Sequence, residues 1–185
     1  GNSIHLKSPR DAINHGIGFL TEDRKSKGLI LGMNIRENTT LSKLISLSKF
    51  GVINRNLEKE NTKKFLESLS IKALSTEEKV GNLSGGTQQK VVLSKWLFTR
   101  SRILIFDEPT RGIDVGAKVE IYQLMEELVK QGITILMISS DLSEVLRMSN
   151  RILVMNAGRI MGEIKHHDAS QGKILELAMG FKKKT

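Results

Sequence analysis

The chain has 185 residues, of which 39% are hydrophobic and 26% charged, enough for a globular core. Zero cysteines exclude disulfides and thiolate metal sites, no apolar run approaches the ~20 residues of a spanning helix, and no signal-peptide pattern opens the chain. The net charge of +9 suits phosphate-bearing partners, but Lys and Arg are scattered and aromatic residues make up only 4%, too few stacking platforms for a nucleic-acid reader.

Residues 4–6 and 17–20 read as short strands. Between them Ser8 and Pro9 set the start of a brief helix that runs to Asn14. From residue 22 to about 84 the pattern turns polar and helical. One candidate helix spans 34–44, and a second spans 56–69 with Leu57, Phe65, Leu66 and Leu69 along a face. Arg24-Lys25-Ser26-Lys27 reads as a solvated basic loop, and Lys182-Lys183-Lys184 as a solvated tail.

The next stretch, Asn82-Leu83-Ser84-Gly85-Gly86-Thr87-Gln88-Gln89-Lys90, is the most informative. A Ser-Gly-Gly turn opening into an apolar-periodic helix gathers unpaired N–H groups and the positive end of the helix dipole at one point, where phosphate binds. Val92, Leu93, Trp96 and Leu97 recur at helical spacing, and Gln89, Lys90, Ser94 and Lys95 fall on the other face. Gly85 and Gly86 permit unusual backbone angles and let a phosphate approach without meeting a Cβ. Residues 102–106 form an apolar run ending in Asp107-Glu108, as expected of a parallel strand buried on both faces. Ligands of α/β proteins bind at the carboxyl ends of such strands. Asp107 suits Mg²⁺, directly or through water, and Glu108 suits a general base. Taken singly, Ser-Gly-Gly is also an ordinary helix cap, and an acid pair after a strand an ordinary loop. Their order and spacing, with Gly112-Ile113-Asp114 just beyond, join them into one nucleotide-binding reading.

A helix follows over 116–131, with Ala117, Ile121, Leu124, Met125 and Leu128 in one stripe and Gly132 as its stop. Strand 133–138 leads to Ser140-Asp141. Asp141, with Glu144 three residues on, reads as a helix cap before it reads as catalytic. Strands 152–155 and 159–163 flank an Asn156-Ala157-Gly158 turn. The alternation argues a right-handed parallel α/β core. His5, His15, His166 and His167 lack metal-ligand spacing and read as surface residues, and Trp96 and Tyr122 as helix packing.

Leu83-Ser84-Gly85-Gly86 followed by Leu104-Ile105-Phe106-Asp107-Glu108-Pro109-Thr110 resembles the signature and Walker B motifs of ABC ATPases. Thr21-Glu22-Asp23-Arg24-Lys25, Gln88-Gln89-Lys90, Thr110-Arg111-Gly112-Ile113-Asp114-Val115-Gly116-Ala117 and Ile138-Ser139-Ser140-Asp141 narrow the likeness. They resemble the second, C-terminal ATP-binding domain of tandem ATPases that drive ribose, galactose or xylose import, over about residues 4–181. The resemblance implies a partial P-loop NTPase fold: a remnant of the opening lobe (1–21), a helical subdomain with the loop to a transmembrane partner (22–84), the signature helix and parallel-sheet core (85–181) and a basic tail (182–185). It implies ATP and Mg²⁺ as cofactors, Ser84, Gly85, Gly86, Gln88, Asp114, Glu22 and Ser140 as nucleotide contacts, Asp107 at the metal and Glu108 in catalysis. Glu22 stands where a glutamine is usual and Ser140 where a histidine is usual, and a serine cannot become a cation near neutral pH. Both departures resemble that second domain.

No G-x-x-x-x-G-K-[ST] phosphate loop occurs in the sequence. The expectation is therefore the later part of an ABC domain that completes an ATP site on another ABC domain supplying Walker A. Sugar permease subunits would be the membrane partners, and the chain would be peripheral on the cytoplasmic face, touching membrane only through them. The residues leave open whether this chain alone turns ATP over or is a truncated, non-catalytic interaction module. An ABC-type ATPase of DNA repair or translation is a further alternative, disfavoured because the long coiled-coil insert and cysteine zinc motifs are absent. The missing loop also predicts an exposed edge on strand 102–106, an uncovered apolar helix face, and marginal stability or association.

Overall fold

The computed structural model describes residues 3–180, so the Lys182 to Lys184 tail lies outside the described residues. It comprises two compact units, Gly1–Ile138 and Ser139–Thr185. Among the described residues no helix is long and apolar enough to cross a membrane.

The first unit opens with α1 (Pro9–Asn14), capped by the Ser8 hydroxyl, which accepts from Asp11 N at 3.2 Å. β1 (Ile17–Leu20) follows, then a π-helical turn over Arg24–Gly28 and α2 (Ile35–Thr40). Residues 4–6 are not a strand: Ile4 and Leu6 are exposed and no strand pairs with them. The helix expected over 34–44 begins as foreseen, in a capping box between Asn34 and Glu37, but it ends at Thr40. The next residues, Leu41–Leu47, tighten into 3₁₀ turns broken at Lys43 (φ −141°). A two-residue hairpin, β2 (Ser48–Lys49) with β3 (Val52–Ile53), leads into α3 (Arg55–Ser68).

Of the face expected on α3, Leu69 is buried, Phe65 and Leu66 are half-buried and Leu57 is exposed, and the charged Glu58 joins Thr62 on the buried side. The reason is electrostatic. The Arg36 guanidinium on α2 pairs with Glu58 and also meets Glu77 (Nε to Oε1, 2.9 Å), and the Thr40 hydroxyl donates to Glu58 Oε1 at 2.5 Å. With both carboxylates partnered, burial of the Glu58 charge is tolerated.

α4 (Gly85–Phe98) runs through the middle of the unit, and every residue from Gly86 to Ser94 is buried. The polar side of the helix is therefore turned inward, and its polar groups have internal partners. Lys90 Nζ donates to Ser70 O (3.2 Å) and Glu120 Oε2 (2.9 Å), Ser94 shares a hydroxyl bond with Thr39 (2.8 Å), and Lys95 Nζ donates to Gly28 O (2.5 Å). Burial pushes the Lys95 ammonium below the usual lysine value. Trp96 packs against β1, where a Cβ on Gly18 would lie 3.0 Å from the Trp96 Cβ.

β4 (Ile103–Asp107), α5 (Val115–Lys130) and β5 (Thr134–Ile138) complete the unit. Strands are parallel in the order β1-β4-β5, with Leu20 opposite Phe106 and Phe106 opposite Met137. This is the expected α/β architecture with a parallel sheet and a helical portion. Two details differ. β4 is paired on both edges, so no edge of it is open. Its burial is one-sided: Leu104 and Phe106 lie at 0% and 1% exposure, whereas Ile103, with Phe19, Leu136 and Ile138 on neighbouring strands, is exposed on the opposite face. The α5 stripe of Ile121, Leu124, Met125 and Leu128 is buried as expected, and Gly132 ends the helix at φ +87°.

In the second unit α6 (Leu142–Met148) precedes the antiparallel hairpin β6 (Arg151–Asn156) and β7 (Arg159–Lys165), and α7 (Gln171–Ala178) follows. Ala157 and Gly158 make the turn with φ of +46° and +76°. Ile152, Val154, Ile164 and Ile174 form its core, with Val145, Leu146 and Leu177 against it.

Candidate functional site

Ser84 holds extended angles (φ −61°, ψ 159°) and caps α4, its hydroxyl oxygen accepting from Thr87 N at 3.3 Å. The first backbone bond of the helix runs from Gln88 N to Ser84 O (2.8 Å), so the N–H groups of Gly85 and Gly86 precede the helical ladder. Ser84 is exposed at this end. The Gln88 side chain is turned the other way: it is buried, and Nε2 donates to Val80 O at 3.0 Å, tying the helix start to the turn before it. Gln88, expected as a nucleotide contact, braces the helix start in this structure, with its Oε1 buried and unpartnered.

Gly85 and Gly86 are required by packing inside the chain. A Cβ on Gly85 would fall 2.7 Å from Arg24 Nη2 and 3.2 Å from Gly112 O, and one on Gly86 would fall 2.8 Å from the Ala117 Cβ. The helix start thus lies directly against the turn that follows β4.

That turn is built from the acid pair onward. Asp107 ends β4, half-buried. Glu108 takes φ +47°, an angle that costs a non-glycine residue strain, and its N–H donates to Ile138 O at 2.8 Å. Arg111 N donates to Glu108 O (3.1 Å), Gly112 adopts φ +64°, and Ile113 N donates to Thr110 O (3.2 Å). Exposed Asp114 caps α5 by accepting from Ala117 N at 2.9 Å.

The loop after β1 reaches the same turn. Glu22 forms an ion pair with Arg111. Arg24 donates from Nη1 to Arg111 O (2.8 Å) and from Nη2 to Gly112 O (3.0 Å). Arg24 therefore departs from the solvated loop expected of it, while Lys25 and Lys27 remain exposed. Its burial lowers the guanidinium below the usual arginine value, against the pull of Asp23. Asp23 itself caps the π-helical turn; bonds from Ser26, first the hydroxyl (2.5 Å) and then the backbone N–H, hold its carboxyl below the usual range. Glu22, Asp23, Arg24, Lys25 and Arg111 line a cleft of about 280 Å³.

The first unit thus joins the Glu22 loop, the Gly85-Gly86 helix start and the turn from Glu108 to Asp114 through Arg24 and Arg111. Ser140 lies in the second unit beside Asp141, whose carboxylate accepts from Ser143 N (2.9 Å) and Glu144 N (3.3 Å) as the expected cap of α6. Two contributors escaped sequence reasoning, Arg24 and Arg111, because partners nearly ninety positions away leave no local periodicity. Among the described residues no cluster of three or more His, Cys, Asp or Glu could hold a metal by itself; Asp107 offers a single hard oxygen ligand at the carboxyl end of the middle strand, the kind of contact Mg²⁺ takes when water and phosphate fill its remaining positions.

A family model described as "ABC transporter" matches residues 1–111. The xylose import ATP-binding protein of Thermoanaerobacter pseudethanolicus is 50% identical over 182 residues, covering 98% of this chain and 36% of that protein. The ribose import ATP-binding protein of Oceanobacillus iheyensis is 53% identical over 180 residues, covering 97% of the chain and 36% of that protein. The chain therefore spans about a third of the length of these relatives. Among solved structures, an ATP-binding cassette of an ABC transporter superposes with a TM-score of 0.74 at 25% identity, covering 92% of this chain and 71% of that one.

Proposed function

The chain belongs to the ABC transporter family, and on that premise we propose that it is part of the energy-coupling ATPase of a monosaccharide importer of the ribose, galactose or xylose class. In this reading Ser84, Gly85 and Gly86, with Asp114 beside them, face nucleotide bound to another ABC domain and complete its site. The chain's own Walker half consists of Asp107, which would hold Mg²⁺, and Glu108, which would take a proton from the attacking water. Mg²⁺ supplies charge neutralisation on the phosphates when bound. Glu22 and Ser140 are assigned to the nucleotide-side loops. Partners would be a domain supplying the phosphate loop and the sugar permease subunits, which would hold this peripheral chain at the cytoplasmic membrane face.

One observation carries the reading: the start of α4 lies so near the turn after β4 and the first turn of α5 that a Cβ on Gly85 would fall 3.2 Å from Gly112 O and one on Gly86 2.8 Å from the Ala117 Cβ. The two surfaces a partner's triphosphate would need are thereby presented as one. The test is Ser84→Arg in a reconstituted two-domain transporter. ATPase activity is expected to collapse, because the long cation fills the exposed helix start, and an unchanged rate would overturn the assignment. Calorimetric titration of Mg-ATP into the isolated chain is expected to show no saturable binding, since no Walker A loop occurs in its sequence.

A further inference from the structure

The Arg24 side chain does something that neither the signature motif nor Walker B accounts for. It crosses from the loop after β1 to the turn after β4, gives both terminal nitrogens to consecutive carbonyls (Arg111 and Gly112, 2.8 and 3.0 Å), and fills the space that a side chain at position 85 would need. Its loop is fastened at the far end as well, where Lys95 of α4 donates to Gly28 O at 2.5 Å. Glu22, two residues before Arg24, pairs with Arg111 of the same turn. Three chain segments therefore meet at one guanidinium: the Glu22 loop, the start of α4, and the Glu108–Asp114 turn.

We propose that Arg24 is a positioning residue that locks the Ser84-Gly85-Gly86 helix start and the Asp114 turn into one block, so that both reach the opposing nucleotide in register. This rests on the composite-site reading above. The guanidinium fork matches two adjacent carbonyls in a way that an ammonium cannot, so Arg24→Lys keeps the charge and loses one of the two bonds. Without the fork, Gly112 at φ +64° and the turn around it are free to shift relative to α4. Misplacement of about 1 Å in a catalytic constellation costs on the order of 100-fold in rate.

The experiment is steady-state ATPase and equilibrium nucleotide binding on the full reconstituted transporter carrying Arg24→Gln, Arg24→Lys or Ser84→Arg. For Arg24→Gln, kcat is expected to fall about 10- to 100-fold with the nucleotide Kd and KM unchanged, and Arg24→Lys to recover an intermediate kcat. Amide exchange should rise over residues 110–114 and 84–87 alone. If Ser84→Arg abolishes turnover while Arg24→Gln keeps the parental kcat, the positioning role is wrong and the composite site stands. If Ser84→Arg is harmless, the composite site fails and takes this inference with it. A parallel loss of kcat and nucleotide affinity would mark Arg24 as a purely structural residue and overturn the proposal. Should Arg24→Gln not fold, Arg24→Lys is read by the same split, and a parental kcat there refutes the need for the fork.

Discussion

At the junction of α2 and α3 the Arg36 guanidinium meets carboxylates; at the junction of α4 with the turn after β4 the Arg24 guanidinium meets only backbone carbonyls. Arg36 is nearly enclosed, with its side chain 11% exposed and that of Glu58 3% exposed, and the bonds it donates to Glu77 hold the Arg36 charge more firmly than usual. Arg24 has no counter-ion among its bonded partners, and its Nε is buried without a partner. The first arrangement joins two helices through paired charges. The second holds loops in a defined position while leaving the charge less compensated. Burial and hydrogen bonding look alike at the two sites; the kind of acceptor separates them.

The comparison breaks most visibly at the ionic junction. Arg36→Met should cost about 3–5 kcal/mol, because it strands the Glu58 carboxylate in the interior, and urea unfolding should show the loss as a lowered midpoint. Next comes Gly86→Ala, which pushes a Cβ to 2.8 Å from Ala117. Overpacking of this kind costs about 1–3 kcal/mol, and the double change with Ala117→Gly should recover part of it in the same assay. Arg24→Gln should cost only about 1 kcal/mol of stability, so thermal unfolding should barely move while turnover falls. A loss as large as that at Arg36 would erase the distinction.

The smallest effect is the most discriminating. Arg36 holds the Glu77 carboxyl below its ordinary value of 4.5, and Lys90 followed by Lys72 does the same for Glu120. A carboxyl lowered in the folded state adds stability that is full above the unfolded value and is lost as pH falls through the folded one. Acid titration below about pH 4.5 should therefore loosen the contact of α2 with the loop at 75–79 and the α4–α5 contact first, read by amide exchange. The Arg24 bonds go to carbonyls, which do not titrate, and exchange at residues 110–114 should not follow that curve.

How far the sequence could be read depended on whether a residue's role is local. Ser8-Pro9, Asp141 and Gly132 declare themselves by short-range hydrogen bonding or backbone angle, and the structure places each at the helix terminus expected; the Asn34/Glu37 box and the Asp114 cap are equally local signals that the structure adds. The α5 stripe was equally legible. By contrast, the burial of Lys90 on α4 and of Glu58 on α3 has no local signal, since each is recognisable only with its partner across the fold. β4 was expected to be covered on both faces from its apolar run, yet Leu104 and Ile103 are indistinguishable as sequence, and only neighbouring helices decide which is covered. At the candidate site the motifs mark Ser84, Asp107, Glu108 and Asp114 as candidates, but they carry no sign that Gln88 turns inward or that Arg24 occupies the space beside Gly85.

Trp96 is the one tryptophan among these 185 residues, and it lies where β1 and α4 press together, with the Lys95 ammonium 5.2 Å from its ring centroid. The same ammonium reaches Gly28 O at the end of the Arg24 loop. Indole emission is therefore a built-in optical gauge for that junction. A shift or quench of fluorescence on mixing with a partner domain would report movement of the loop against the helix, without any label being attached.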